Sequence, residues 1–172
     1  MLPPSWLQNQ LLAGLPQASF ERLRPHLEPV SLTGGETLFD SAATHTDVYF
    51  PVTAVVSLSS FRPDGVLIRV SQIGDDGVIG IPFFLIGKVI PCRGVVHQDG
   101  LAYRLPASTL AQEFNRGGPA LRLFLRYAKR LMAQMEQSAS CHTIESLDKQ
   151  DCARCGHAKA CGLADDPEPF RR

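Results

Sequence analysis

Residues 48–80 read VYFPVTAVVSLSSFRPDGVLIRVSQIGDDGVIG, and the punctuation of this stretch decides the fold. Ala54–Phe61 and Val66–Ile73 are rich in β-branched residues, as strands are. Between them stands Arg62-Pro63-Asp64-Gly65, whose Asp-Gly pair suits a tight hairpin because glycine accepts positive φ without steric cost. Gly74-Asp75-Asp76-Gly77 marks the next turn. Further strand-like runs lie upstream at Val30–Leu32, Thr37–Phe39 and Val48–Phe50, with Gly34-Gly35 as a turn. Two more lie downstream at Arg93–His97 and Leu101–Leu105, separated by a second hairpin dipeptide, Asp99-Gly100. Short strands at this spacing predict an antiparallel sandwich or barrel, often a jelly roll. Val78–Ile86 departs from the pattern, because it carries helix-like packing residues in mid-barrel.

Both flanks are helical. Ser5 can cap a first helix in which Trp6, Leu7, Leu11 and Leu12 share a face. Pro16 opens a second helix carrying Phe20, Leu23 and Leu27, and Pro25 is placed to end it early. Beyond the strands, Ser108 or a neighbour starts a short helix through Phe114. Gly117-Gly118-Pro119 breaks it, and a long helix runs from about Pro119 to Leu147. The expected division is N-terminal helices over 1–28, a β-roll over 29–117, a dimerisation helix over 118–147 and a cysteine-containing, disordered tail over 148–172. The expected class is mainly β with α.

In the long helix, Leu121, Leu125, Ala128, Met132, Met135 and Ala139 recur at alternating steps of four and three. That is a heptad seam. A second apolar row, Leu123, Phe124, Tyr127 and Leu131, runs beside it. One face would then pack on the barrel and the other on the same helix of a second copy, giving a homodimer. The plainer alternative is one wide stripe on a single core.

The chain has 172 residues, with 17 Lys and Arg against 17 Asp and Glu. A hydrophobic share of 44% and a charged share of 20% suit a globular chain able to bury a core. No apolar run approaches the roughly 18–20 residues that a bilayer span requires. The longest candidate, Val78–Ile90, is broken by Pro82, Gly87 and Lys88. MLPPSWLQNQ at the start lacks the basic and apolar regions of a secretory signal. A cytoplasmic protein with no membrane partner is expected. Zero net charge argues against binding nucleic acid through bulk electrostatics.

The order of helices, roll, short helix and long helix resembles the sensor domain of Crp/Fnr-type bacterial transcription regulators, the cyclic nucleotide-binding fold. The resemblance spans His26–Leu147. It rests on Leu27-Glu28-Pro29-Val30, Gly35-Glu36-Thr37-Leu38, Val48-Tyr49-Phe50-Pro51, Val55-Val56-Ser57-Leu58, Gly77-Val78-Ile79-Gly80 and the segment Leu125–Cys141. The opening Asn9-Gln10-Leu11-Leu12-Ala13-Gly14-Leu15 also fits. The resemblance implies a roll that holds a small effector, typically a cyclic nucleotide. In that family a Gly-Glu pair serves the ribose, and an arginine about ten residues later takes the phosphate. A buried phosphate needs such a fixed cation. Here Gly80 matches the glycine, but Ile81 stands where the glutamate would be, followed by Pro82. The arginine position falls at Pro91 or Cys92, with Arg93 one or two residues on. A one-residue shift on a strand points a side chain to the opposite face. Gly80, Ile81, Pro82, Cys92 and Arg93 are therefore the candidate effector-binding residues, and a cyclic nucleotide bound in the family's usual manner is not expected. Another small effector and an effector-free roll both remain open. Arg93 is either a slipped phosphate ligand or a rim residue in a salt bridge.

The resemblance also implies a winged helix-turn-helix after the long helix. The residues after Leu147 are too few for one and show no apolar periodicity. No DNA-binding module of its own is expected, and hence no direct DNA contact. Two histories fit: a stand-alone sensor, able to pair with itself or with full-length relatives, or a reading frame shifted after Leu147.

The tail holds Cys152, Cys155, His157 and Cys161 in the spacing Cys-x-x-Cys-x-His-x-x-x-Cys. These are the sulfur and nitrogen donors that tetrahedral zinc takes. The four residues read as unstructured tail thiols, with zinc binding as the alternative. Cys92 and Cys141 read as small apolar packing residues. An enzyme is not expected. The histidines are scattered, no His-x-His pair of a cupin-type metal site occurs, and no nucleophile with a positioned histidine is legible.

Overall fold

The computed structural model describes residues 5–40, 46–61, 65, 67–80 and 92–144, the side chains of residues 5 and 139–144 excepted. A 3-10 turn, Ser5–Gln8, leads into the one-turn helix α1 (Gln10–Ala13). Ser5 is not the cap. Because residues 5–8 form a separate 3-10 turn, the cap falls to Asn9, whose Oδ1 accepts from the backbone N–H groups of Leu11 and Leu12 at 3.1 Å each. Helix α2 (Gln17–Leu23) starts behind Pro16 and stops two residues before Pro25, giving way to a 3-10 turn at Arg24–His26. This is the early ending that proline imposes on the preceding turn.

Seven strands follow among the described residues: β1 (Glu28–Leu32), β2 (Thr37–Phe39), β3 (Asp47–Pro51), β4 (Val55–Phe61), β5 (Leu67–Ile73), β6 (Cys92–Gln98) and β7 (Gly100–Pro106). They form two antiparallel sheets, ordered β1-β7-β3 and β2-β6-β4-β5. Val48, Phe50 and Leu105 from the first sheet and Val56, Leu58 and Val96 from the second join one buried cluster. Alternation along each strand fixes which side chains reach it.

Strands β4 and β5 are a hairpin, with Phe61 opposite Leu67. Asp99-Gly100 is not a hairpin turn, contrary to its sequence signature. There the chain leaves the second sheet and enters the first. The Asp99 carboxylate accepts from the Gly34 N–H, and a Cβ on Gly100 would overlap the backbone at Thr53 and Ala54. The dipeptide serves a crowded corner between sheets, where glycine is needed for close approach rather than for a tight turn.

Helix α3 (Ala107–Asn115) continues directly from β7. Its Glu113 is almost wholly buried and takes two hydrogen bonds from Arg22 of α2, at 2.8 and 2.6 Å. The Arg22 guanidinium holds the Glu113 carboxyl below the ordinary carboxylate range. Helix α4 (Gly118–Ile144) then lies over the roll. Its Phe124 is fully buried, with ring centroids of Phe50 and Phe114 at 6.4 and 5.1 Å. Of the mid-barrel stretch Val78–Ile86, Val78 and Ile79 are buried and Ile79 forms an isolated bridge to Tyr49. Residues 81–86 lie outside the described residues. No described helix is long and apolar enough to cross a membrane.

Candidate functional site

Gly80 closes the segment that follows β5. Its φ of +99° is one that side-chain-bearing residues avoid, and a Cβ there would sit 3.2 Å from Val48 Cγ1. Ile81 and Pro82 lie outside the described residues. Cys92 and Arg93 open β6 and point to opposite sides of it, as neighbouring strand residues must. Cys92 belongs to the buried cluster, and burial pushes its thiol pKa up against a hydrogen bond from Ser60. Arg93 sits at the rim, its Nε 3.1 Å from Asp40 Oδ2 in an ion pair that is not aligned as a hydrogen bond. Both partners are about a third exposed, at 36% and 37%.

The segment between β5 and Gly80 is tied from two sides. Asn9 is fully buried and all its side-chain hydrogen-bonding groups are used. Its Nδ2 donates to Pro51 O at 2.8 Å and Gly77 O at 2.9 Å, while its Oδ1 caps α1. The Gln10 N–H donates to Asp75 O at 2.8 Å. From the other side comes α4. Tyr127 donates its hydroxyl to Val78 O at 3.0 Å. Arg130 donates to Asp76 O at 2.8 Å and lies 3.2 Å from the Asp76 carboxylate. Burial pushes the Tyr127 hydroxyl well above the ordinary phenol range. A Cβ on Gly77 would come within 2.7 Å of the Tyr127 hydroxyl and 2.6 Å of Ile73 Cγ2. Glycine here lets the helix and the roll touch backbone to side chain.

Neither a family model nor a curated protein sequence matches the chain. Solved structures do. A c-di-GMP-responsive global regulator from Xanthomonas campestris superposes with a TM-score of 0.66 at 15% identity, over 91% of this chain and 76% of that one. The N-terminal domain of a transcriptional regulator from Streptomyces coelicolor gives 0.54 at 21% identity, over 78% of this chain and 96% of that one. The regulatory subunit of a cAMP-independent protein kinase A from Trypanosoma cruzi, bound to guanosine, gives 0.62 at 18% identity. The match covers 72% of this chain and 44% of that subunit. The fold is the cyclic nucleotide-binding β-roll. At these identities the likeness is one of fold, and the Crp/Fnr-type resemblance of the sequence is matched at that level.

On this β-roll, the two apolar rows of α4 separate. Phe124, Tyr127 and Leu131 join the buried core cluster with Ala120, and Ser138 is buried as well. Of the heptad row, Leu125 and Met132 stay 47% and 46% exposed. Leu121 is half-buried, and Ala128 and Met135 lean partly on the core. Ala139 belongs to the helix, and its side chain is outside the described residues. The tail candidates Cys152, Cys155, His157 and Cys161 are also outside them. Among the described residues, no group of three His, Cys, Asp or Glu is arranged to hold a metal ion.

Sequence reasoning missed Asn9, the Asp76–Arg130 pair and the Arg22–Glu113 pair. The last two join residues 54 and 91 positions apart, so no local pattern announces them. Asn9 could have been found, since an asparagine directly before an apolar helical face is a preferred cap.

Proposed function

We propose that this chain is the sensor part of a Crp/Fnr-like transcription regulator. Its roll takes a small effector, and its long helix pairs with that of a second copy. A single observation carries the reading: α4 is fastened to the segment leading into Gly80 by Tyr127 and Arg130. Any effector that shifts Gly77–Gly80 must either move α4 or break those bonds. Such a ligand acts through the difference in its affinity for the two arrangements. The transcriptional regulators of the same fold support a regulatory role over a catalytic one.

The effector is not a cyclic nucleotide held in the family's usual manner. Ile81 offers no carboxylate to a ribose, and Arg93 is engaged by Asp40. The outward row of α4 supports the pairing, since Leu125 and Met132 are large apolar side chains that the roll leaves open. A thermal-shift titration tests the effector reading, because a ligand that binds only the folded state raises the melting temperature with concentration. Cyclic AMP and cyclic GMP are expected to leave Tm unchanged. A saturable rise with either would overturn that reading of Ile81 and Arg93.

A further inference from the structure

A cavity of about 280 Å3 opens where α1, the turn after β5 and α4 meet. Leu11, Leu123 and the Tyr127 ring supply its apolar lining. Gln10, Asp76, Arg126 and Arg130 supply the polar part. The two arginines stand one helical turn apart, a spacing that brings like charges together at some cost. Arg130 is partly neutralised by Asp76, at 3.2 Å, and stacks 5.6 Å from the Tyr127 ring centroid. The neighbouring Asp75 faces Gln10, whose Nε2 lies 3.5 Å from its carboxylate. Arg126 has no described partner. Within the lining, two guanidiniums thus meet the single carboxylate of Asp76 beside an apolar surface, with the Asp75 carboxylate turned toward Gln10 at its edge.

We propose that this cavity binds a small phosphate monoester with a short apolar body. A phosphate has enough oxygens to engage Arg126 and the remaining N–H groups of Arg130 together while Asp76 keeps its bonds. The volume lies just under the range of about 300–1,000 Å3 typical of drug-sized sites, which sets the size class of the ligand. In the repeat that puts Leu125 and Met132 on the outward row, Leu123, Arg126, Tyr127 and Arg130 all fall elsewhere. Pairing through that row therefore leaves the cavity open. Because Asp76 and Tyr127 belong both to this cavity and to the junction, its occupant would stiffen the contact between roll and helix. The site does not depend on what the roll itself holds.

Isothermal titration with phenyl phosphate at low, fixed ionic strength tests the assignment. Saturable binding of one equivalent per chain is expected, weakened about tenfold or more in Arg126→Gln. Arg126 is exposed, so its replacement leaves folding intact. Inorganic phosphate should bind more weakly than phenyl phosphate, and uncharged phenol not saturably. Absence of saturable binding by phenyl phosphate would overturn the proposal. So would binding that Arg126→Gln leaves unchanged, which would place the ligand elsewhere, the roll included. Inorganic phosphate binding as tightly as phenyl phosphate would remove the apolar half of the assignment.

Discussion

The two apolar faces of α4 are made from similar residues and meet opposite surroundings. Phe124 and Leu131 are almost fully enclosed by the roll, whereas their next-door neighbours Leu125 and Met132 are nearly half exposed. Helical periodicity announces both rows and assigns neither. What separates Phe124 and Tyr127 from Leu125 and Met132 is a set of long-range partners: Phe50 and Phe114 around Phe124, and the Val78 carbonyl on Tyr127. The inner face is thus a fixed part of the fold, whereas Leu125 and Met132 on the outer face stay open, the surface that the proposed pairing would use.

If this contrast is right, substitutions on the two faces should differ first in stability. Phe124→Ala should destabilise the chain by about 3–5 kcal/mol, the usual range for a fully buried phenylalanine, as read by urea denaturation. A loss under 1 kcal/mol would mean that the inner face is not packed as described. Asn9→Ala removes a cap and strands two buried carbonyls, so about 2–4 kcal/mol is expected. Tyr127→Phe should cost about 1 kcal/mol. Its sharper signature is faster amide hydrogen exchange in both Gly77–Gly80 and the middle of α4, since it loosens the bond that joins them. Exchange that quickens in only one of the two would break the link.

A smaller effect is expected at acid pH. The Arg22 hydrogen bond lowers the folded-state pKa of Glu113. Its contribution is therefore complete above the ordinary glutamate pKa and is lost as pH falls through the lowered folded value. Arg22→Met should flatten this acid limb of a Tm-against-pH curve, and an unchanged limb would remove Glu113 from the account. Smallest of all should be the effect of outer-face changes on the single chain. Leu125→Asp with Met132→Asp should alter monomer stability by no more than about 0.5 kcal/mol, as surface substitutions do.

Much of this molecule is legible in its sequence because much of it is set locally. The β4–β5 hairpin follows from strand composition on both sides of a turn. The ending of α2 before Pro25 follows from proline chemistry, and the two rows of α4 from spacing. Where the reading erred, distant residues decided the matter. Asp99-Gly100 carries a hairpin signature, yet Gly34 and the Thr53–Ala54 backbone make it a crossing between sheets. Ser5 is a good cap residue displaced by Asn9, which also reaches Pro51 and Gly77. The junction of Asp76, Gly77, Tyr127 and Arg130 was invisible for the same reason, since its halves lie some fifty residues apart in the chain.

The claim that ties these regions together is that the outer face of α4 pairs with its own copy. Sedimentation equilibrium of the wild-type chain beside Leu125→Asp/Met132→Asp tests it most directly. The account predicts a dimer at micromolar concentration for the wild type and a folded monomer for the double variant. A monomeric wild type, or a double variant that stays dimeric, would contradict it.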